Sequence, residues 1–230
     1  MKRALTVLMM VLLLVSLGCS KQASEPTAAV PDAAAVASAP TPAPAPEAKD
    51  GLTIGVVPKG LAHQFWLTVK AGAETAGTEF NADIVWQGPA QETEIDKQIS
   101  IIEDMITSKV DAIVMAACDE NALVPVLQKA TDAGIPVVTI DSGVKSDIPL
   151  SFVATDNVAG ANAAAKELAR LLEGQGEVGV IPFVAGAATS EMREQGFKEG
   201  LADSGLTLVS TLYSQSDAAV AMNVAQDMMT

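Results

Sequence analysis

The sequence predicts an α/β protein built on a doubly wound parallel sheet, and three observations carry that expectation. From Gly51 onward, short runs rich in Val and Ile alternate with longer stretches of helical period. The runs are continuous in apolar residues, the pattern of strands covered on both faces, as in a parallel sheet. The strand, helix, strand, helix order holds through most of this region, and it is the order that returns each strand parallel to the last.

Along the chain, strands are expected at 52–57, 83–86, 112–116, 136–140, 151–154, 177–184 and 207–213, and helices at 63–80, 92–108, 121–133, 157–173, 190–204 and 217–230. In the helix at 92–108, Ile95, Ile99, Ile102 and Ile106 recur at spacings of four, three and four, with Asp96, Lys97, Glu103 and Asp104 between them. That is one apolar stripe facing a sheet. The helix at 157–173 carries Ala161, Ala164, Ala165, Leu168 and Leu172 for close packing, and Gly174 and Gly176 beyond its end are stop signals. Ser190 is the expected N-cap of the helix at 190–204, which places Arg193 in its first turn. The last helix is built on Val220, Val224 and Met228.

Five strands are expected before Asp156 and two after it. Two parallel strands do not make a stable lobe, and the sequence reaches Thr230 inside a helical pattern with no stop signal. The expectation is a C-terminally truncated piece of a two-lobe protein, with an N-terminal α/β lobe at 51–155 and a partial C-terminal lobe at 156–230.

Ahead of this body, Lys2 and Arg3 precede an uncharged apolar run, residues 4–17, that ends at Gly18 and Cys19. The run is too short for a comfortable membrane span and reads as a secretion signal at 1–18. A small residue followed by Cys resembles the bacterial lipoprotein signal, in which the cysteine is acylated, although Ser16 stands where that signal usually carries Leu. The resemblance implies an exported protein, in the periplasm or cell envelope, anchored to a membrane through Cys19. An ordinary signal peptide, with an incidental cysteine, exports it equally. Residues 19–50 are rich in Ala and Pro and read as an extended tether.

Asp and Glu outnumber Lys and Arg by 28 to 14, a net charge of −14, and an acidic body is a poor partner for nucleic acid or anionic lipid. Cys118 has no partner if Cys19 is acylated, so no disulfide framework is expected. With one His in the chain, no metal site of the usual ligand types is expected either, and with no G-x-G-x-x-G after the first strand no dinucleotide cofactor is implied.

In open α/β sheets ligands sit beyond the carboxyl ends of the strands. After the first strand come His63, Gln64, Phe65 and Trp66, in a chain only 3% aromatic. Rings there suit the CH faces of a sugar, and His63 can bond hydroxyls; the alternative is that one ring packs beneath the sheet. After the fourth strand comes Asp141, a carboxylate able to accept two hydroxyl hydrogen bonds or to serve a turn. Ser142 beside it is a further candidate contact. Arg193 sits where the macrodipole disfavours it, which points to a ligand role or to a surface ion pair with Glu191 and Glu194. Asp119 and Glu120 read as a turn or helix start. No nucleophile elbow or phosphate loop is present, so no enzymatic activity is expected.

At these turns the sequence resembles the periplasmic sugar-binding proteins of the ribose-binding type, the type 1 periplasmic binding fold that feeds ABC importers. The carriers are I-G-V-V-P-K at 54–59, H-Q-F-W at 63–66, V-D-A-I-V at 110–114, G-I-P-V-V-T-I-D at 134–141, A-T-D-N at 154–157 and R-E-Q-G-F at 193–197. The resemblance implies two similar α/β lobes joined by a hinge, the first crossing near Thr155, that close on a sugar. It also implies that Phe65 and Trp66 pack on the sugar ring, that His63 contacts a hydroxyl, that Asp141 is the bidentate carboxylate and that Arg193 is the arginine from the second lobe. Ser142 departs from the family, whose ribose binders carry Arg there. The implied function is the substrate-binding component of an ABC importer, which passes a monosaccharide or small polyol to the permease subunits. The alternatives are a protein that presents sugar or autoinducer-2 to a membrane receptor and, more remotely, an exported α/β enzyme. A repressor of the same fold would need a DNA-binding segment where this chain has its signal and tether.

Overall fold

The computed structural model describes residues 51–230; the expected signal at 1–18, Cys19 and the tether at 19–50 lie outside the described residues. The elements run β1 (Leu52–Val57), α1 (Gln64–Phe80), β2 (Ala82–Trp86), α2 (Ile95–Thr107), β3 (Ala112–Met115), α3 (Val124–Asp132), β4 (Val137–Ile140), β5 (Ser151–Val153), α4 (Asn157–Leu171), β6 (Glu177–Val180), α5 (Ala188–Leu201), β7 (Thr207–Thr211) and α6 (Ala218–Met228). They belong to one compact unit.

Five strands form a sheet in the order β2-β1-β3-β4-β5, and β6 pairs with β7 in a second sheet. Every pairing is parallel. Both sheets therefore send their strand ends, and the turns that follow, in a common direction within each sheet, which is what gathers β1, β4, β6 and β7 turns into candidate binding loops.

The main core lies between the first sheet and α2 with α3. Ile101, Ile102 and Met105 of α2 and Leu123, Val126 and Leu127 at α3 meet Val57, Ile113, Met115 and Val137 of the strands. The buried face of α2 is Gln98, Ile101, Ile102 and Met105; of the expected stripe only Ile102 is fully buried, and Ile95, Ile99 and Ile106 pack half-buried along its border. On the opposite face α1 lies over Leu52, Ile54 and Val56, but it buries only Trp66 and Gly77 fully. All three residues of the edge strand β5 are exposed, so cover on both faces, expected of every strand, fails there.

The second sheet is served by α4 and α5, which cross closely. A Cβ on Gly196 would lie 2.1 Å from the Val158 carbonyl oxygen, and one on Gly200 would lie 2.6 Å from that of Asn162. The small residues of α4 and these two glycines let the backbones meet, with Ala165, Val178, Leu201 and Leu206 buried beneath them.

Among the boundaries that differ from expectation, three do so for identifiable local reasons. The strand expected at 177–184 stops at Val180, because Pro182 has no N–H for the ladder. The helix expected at 121–133 starts at Val124, with a proline in its first positions, while the Asp119 carboxylate accepts from the Asn121 and Ala122 amides in the preceding turn. Ser190 is not an N-cap: α5 begins at Ala188 with Ala187 as its cap. Gly186, at φ +82, turns the chain into the helix, and the Glu191 carboxylate reaches back to accept from its amide. Arg193 therefore lies in the second turn, beyond the strongest part of the macrodipole.

Candidate functional site

A cavity of about 460 Å³ opens where the β1, β4, β6 and β7 turns meet, within the range of small-molecule sites. It is lined by His63, Phe65, Trp66 and Asp141 from the first sheet's turns, and by Arg193 from α5. The structure thus brings these five sequence-expected residues around one space. Ser142 lies deeper: it is fully buried, shares a hydrogen bond with the Thr189 hydroxyl and accepts from the Thr189 amide at 3.2 Å.

Lys59 organises the floor. It follows β1 and Pro58, and only 3% of it is exposed. Its ammonium lies 3.1 Å from Asp141 and 3.9 Å from Glu92, donates to Ser142 Oγ and Thr189 Oγ1 at 3.4 Å, and sits 4.6 Å from the Phe183 ring centroid. A buried ammonium needs such compensation, because desolvation outweighs a single contact. Its backbone is held as firmly. Gln98, fully buried, donates to the Pro58 and Ala116 carbonyls at 3.1 and 2.7 Å and accepts from the Cys118 amide at 2.9 Å, tying the end of β1 to the end of β3. The Cys118 thiol contacts the Lys59 carbonyl at 3.6 Å, and burial pushes its pKa up to about 12.

The two rings behave differently. Trp66 is 1% exposed, and its indole N–H donates to Glu92 Oε1 at 2.8 Å. Phe65 is 53% exposed and meets Trp66 edge-on, with centroids 4.8 Å apart. His63 Nε2 lies 3.2 Å from the Ser216 carbonyl oxygen. Asp141 has φ +56, a left-handed backbone that Asp tolerates better than most residues, and this turn aims its carboxylate at Lys59. Arg193 makes no ion pair with its helix neighbours: its Nε donates to Asn157 Oδ1 at 2.7 Å, and its guanidinium lies 5.8 Å from the Phe183 centroid. Glu194 pairs instead with Lys198, whose hydrogen bond lowers its pKa.

Lys59, Glu92, Phe183, Thr189, Ser214, Ser216 and Asp217 also line the cavity, and sequence reasoning assigned them no role. A Lys at the carboxyl end of a buried strand was the available signal for Lys59. For the others, which depend on how the β6 and β7 turns approach the first sheet, no local signal exists. The first sheet's face combines ring surface with the Asp141 and Glu92 carboxylates, which share the Lys59 ammonium, while on the other face the Phe183 ring lies beside Arg193, whose partner is the neutral Asn157. Such a wall suits a neutral, hydroxyl-rich molecule. Among the described residues, no three His, Cys, Asp or Glu side chains are grouped to hold a metal ion, and no helix is long and apolar enough to cross a membrane.

Comparison with known proteins bears on the family and the fold. A family described as the periplasmic binding protein domain matches residues 54–230. The D-ribose/D-allose-binding protein of Pseudomonas aeruginosa is 39% identical over 165 residues, 68% of this chain and 52% of that protein. The ribose import binding protein RbsB of Bacillus subtilis is 28% identical over 181 residues, 79% of this chain and 58% of that protein. The chain thus spans between half and three fifths of these relatives. Among solved structures, an ABC transporter solute binding protein from Agrobacterium vitis with bound D-fucose superposes with a TM-score of 0.74 at 38% identity, covering 77% of this chain and 63% of that one. A carbohydrate transporter solute binding protein from Agrobacterium radiobacter in complex with D-arabinose gives 0.76 at 30% identity, covering 79% and 64%.

Proposed function

The chain belongs to the periplasmic binding protein domain family, and from that premise we propose that its cavity binds a monosaccharide or similar small polyol for delivery to an ABC permease. The observation that carries this reading is the meeting of Phe65, Trp66, His63, Asp141 and Arg193 around one cavity of about 460 Å³, in a chain similar to a protein named for ribose and allose and to solute binding proteins solved with D-fucose and D-arabinose.

In this reading the first lobe, 51–155, supplies the aromatic wall and the Asp141 carboxylate, and the second, from 156 onward, supplies Arg193 and Phe183. Asp141 accepts from ligand hydroxyls while Lys59 holds its charge in place, the rings cover the sugar's CH surface, and Arg193 donates from the opposite side. Contacts made from both lobes at once favour the closed form, so binding and closure are linked. Export by the segment at 1–18, attachment through Cys19 and a tether at 19–50 would place the binding body in the periplasm or cell envelope beside its permease.

A thermal-shift series with D-ribose, D-allose, D-fucose and D-arabinose tests this. A sugar at about 100 times its Kd stabilises the native state by about 2.7 kcal/mol, so at least one should raise the melting temperature. No shift with any of the four, nor with a wider set of hexoses and inositols, contradicts the proposal.

A further inference from the structure

Glu92 precedes α2 in a loop, yet its side chain is turned inward and the residue is 9% exposed. Its Oε1 accepts the Trp66 indole N–H at 2.8 Å. Its Oε2 accepts the Ser216 hydroxyl at 2.8 Å and lies 3.9 Å from the Lys59 ammonium. Three separate parts of the chain therefore converge on one carboxylate: the first turn of α1, the end of β1 and the turn between β7 and α6. A carboxylate suits that position because it only accepts and has two oxygens to offer two donors.

The Ser216 side is also unusual. Gln215 and Ser216 both have left-handed backbones, φ 56 and 57, a conformation that non-glycine residues adopt at a cost. The strained turn is held by the two contacts that Ser216 makes with the first sheet's loops, its hydroxyl to Glu92 and its carbonyl to His63.

We infer that Glu92 is a positioning residue of the cleft, fixing the Trp66 ring through one oxygen and the β7–α6 turn through the other, so that ring orientation and the approach of the two halves depend on a single group. The part of this that concerns sugar affinity rests on the function proposed above; the hold on the ring does not. Removing the carboxylate leaves a buried indole N–H without its acceptor and frees the turn, and each loss acts on the cavity wall.

The test uses the full chain carrying Trp86→Phe, which makes Trp66 the sole tryptophan. Emission and acrylamide quenching are read without ligand, and affinity is read by titration with D-ribose, D-allose, D-fucose and D-arabinose. Glu92→Ala is expected to shift Trp66 emission to the red, to raise its quenching, and to weaken the bound sugar by about tenfold or more. Glu92→Gln, whose amide oxygen still accepts from the indole and whose nitrogen can donate to Ser216, should restore the emission and recover affinity to within about threefold. Ser216→Ala keeps the carbonyl that His63 uses; it should weaken the sugar while leaving the ligand-free Trp66 emission unchanged. If Glu92→Ala does not fold, Glu92→Asp, one methylene short, is expected to show the same red shift in part. Unchanged Trp66 emission in Glu92→Ala or Glu92→Asp, or a Glu92→Gln protein as impaired as Glu92→Ala, overturns the inference. A parent that binds none of the sugars overturns the proposed function, and the ligand-free emission then still decides whether Glu92 holds the ring.

Discussion

At the scale of single residues, burial separates the two neighbouring rings: Trp66 is fixed inside the cleft wall, and Phe65 remains half exposed beside it. The proposed binding then depends unequally on them. Trp66→Ala should weaken sugar binding by one or more orders of magnitude, since loss of a packed ring and its buried area costs about 1.5–3 kcal/mol. Asp141→Ala should do at least as much, because it also leaves the Lys59 ammonium without its nearest counter-charge. Fluorescence titration of each mutant against the parent checks both, and normal binding by the pair would mean that the ligand sits elsewhere. The positions of His63, Phe65, Trp66 and Asp141 were legible because each follows a strand end or opens a helix, and parallel sheets place ligands there; Arg193, expected in the first turn of its helix, lines the same cavity from the second turn of α5. Lys59 and Glu92 were not: charged side chains are expected in water, and their burial is decided by partners far away in sequence.

A second expectation at this scale concerns alkaline pH. Tyr213, the sole tyrosine, donates to Glu194 at 2.9 Å; burial and then that bond raise its pKa from 10.0 to about 12. Burial raises Cys118 from 9.0 to about 12. Both groups hold their protons more tightly when folded, so the stability they contribute is complete below their unfolded values and is lost as pH climbs toward 12. Phenolate absorbance should therefore titrate near 12 in the native chain and near 10 in urea. A native midpoint near 10 would contradict the partial burial of this phenol and its bond to Glu194.

Elements were read more surely at their centres than at their ends. The isoleucine stripe of α2 and the alanine-rich face of α4 are properties of spacing: the stripe packs along the first sheet's core as expected, whereas on α4 only Ala165 of the expected packing residues is fully buried, Ala164 and Leu172 are exposed, and α5 as its packing partner was not legible. Ends depend on chemistry that spacing does not carry. The N-terminus of α5 moved ahead of Ser190 because Gly186 and Glu191 close the turn instead, leaving Ser190 Oγ buried without a hydrogen-bond partner. The crossing of α4 and α5 shows the same limit, for Gly196 could be read as part of a motif but not as the point of contact with Val158. Gly196→Ala should destabilise the chain by about 1–3 kcal/mol through overpacking, seen as a lower midpoint in urea unfolding. An unchanged midpoint would show that the two helices can separate at no cost.

For the molecule as a whole, parallel pairing was legible from the alternation of elements, while the strand order and the placing of the β6 and β7 turns against the β1 and β4 turns were not, the latter resting on contacts such as Lys59 with Thr189 and Glu92 with Ser216. Those contacts turn two sheets into one cavity, and the proposed function stands on that cavity. Isothermal titration calorimetry of the protein with D-ribose, D-allose, D-fucose and D-arabinose tests it most directly. The expected result is saturable heat from at least one sugar, with one site per chain. Absence of saturable heat with all four, or a stoichiometry inconsistent with one site per chain, would contradict it.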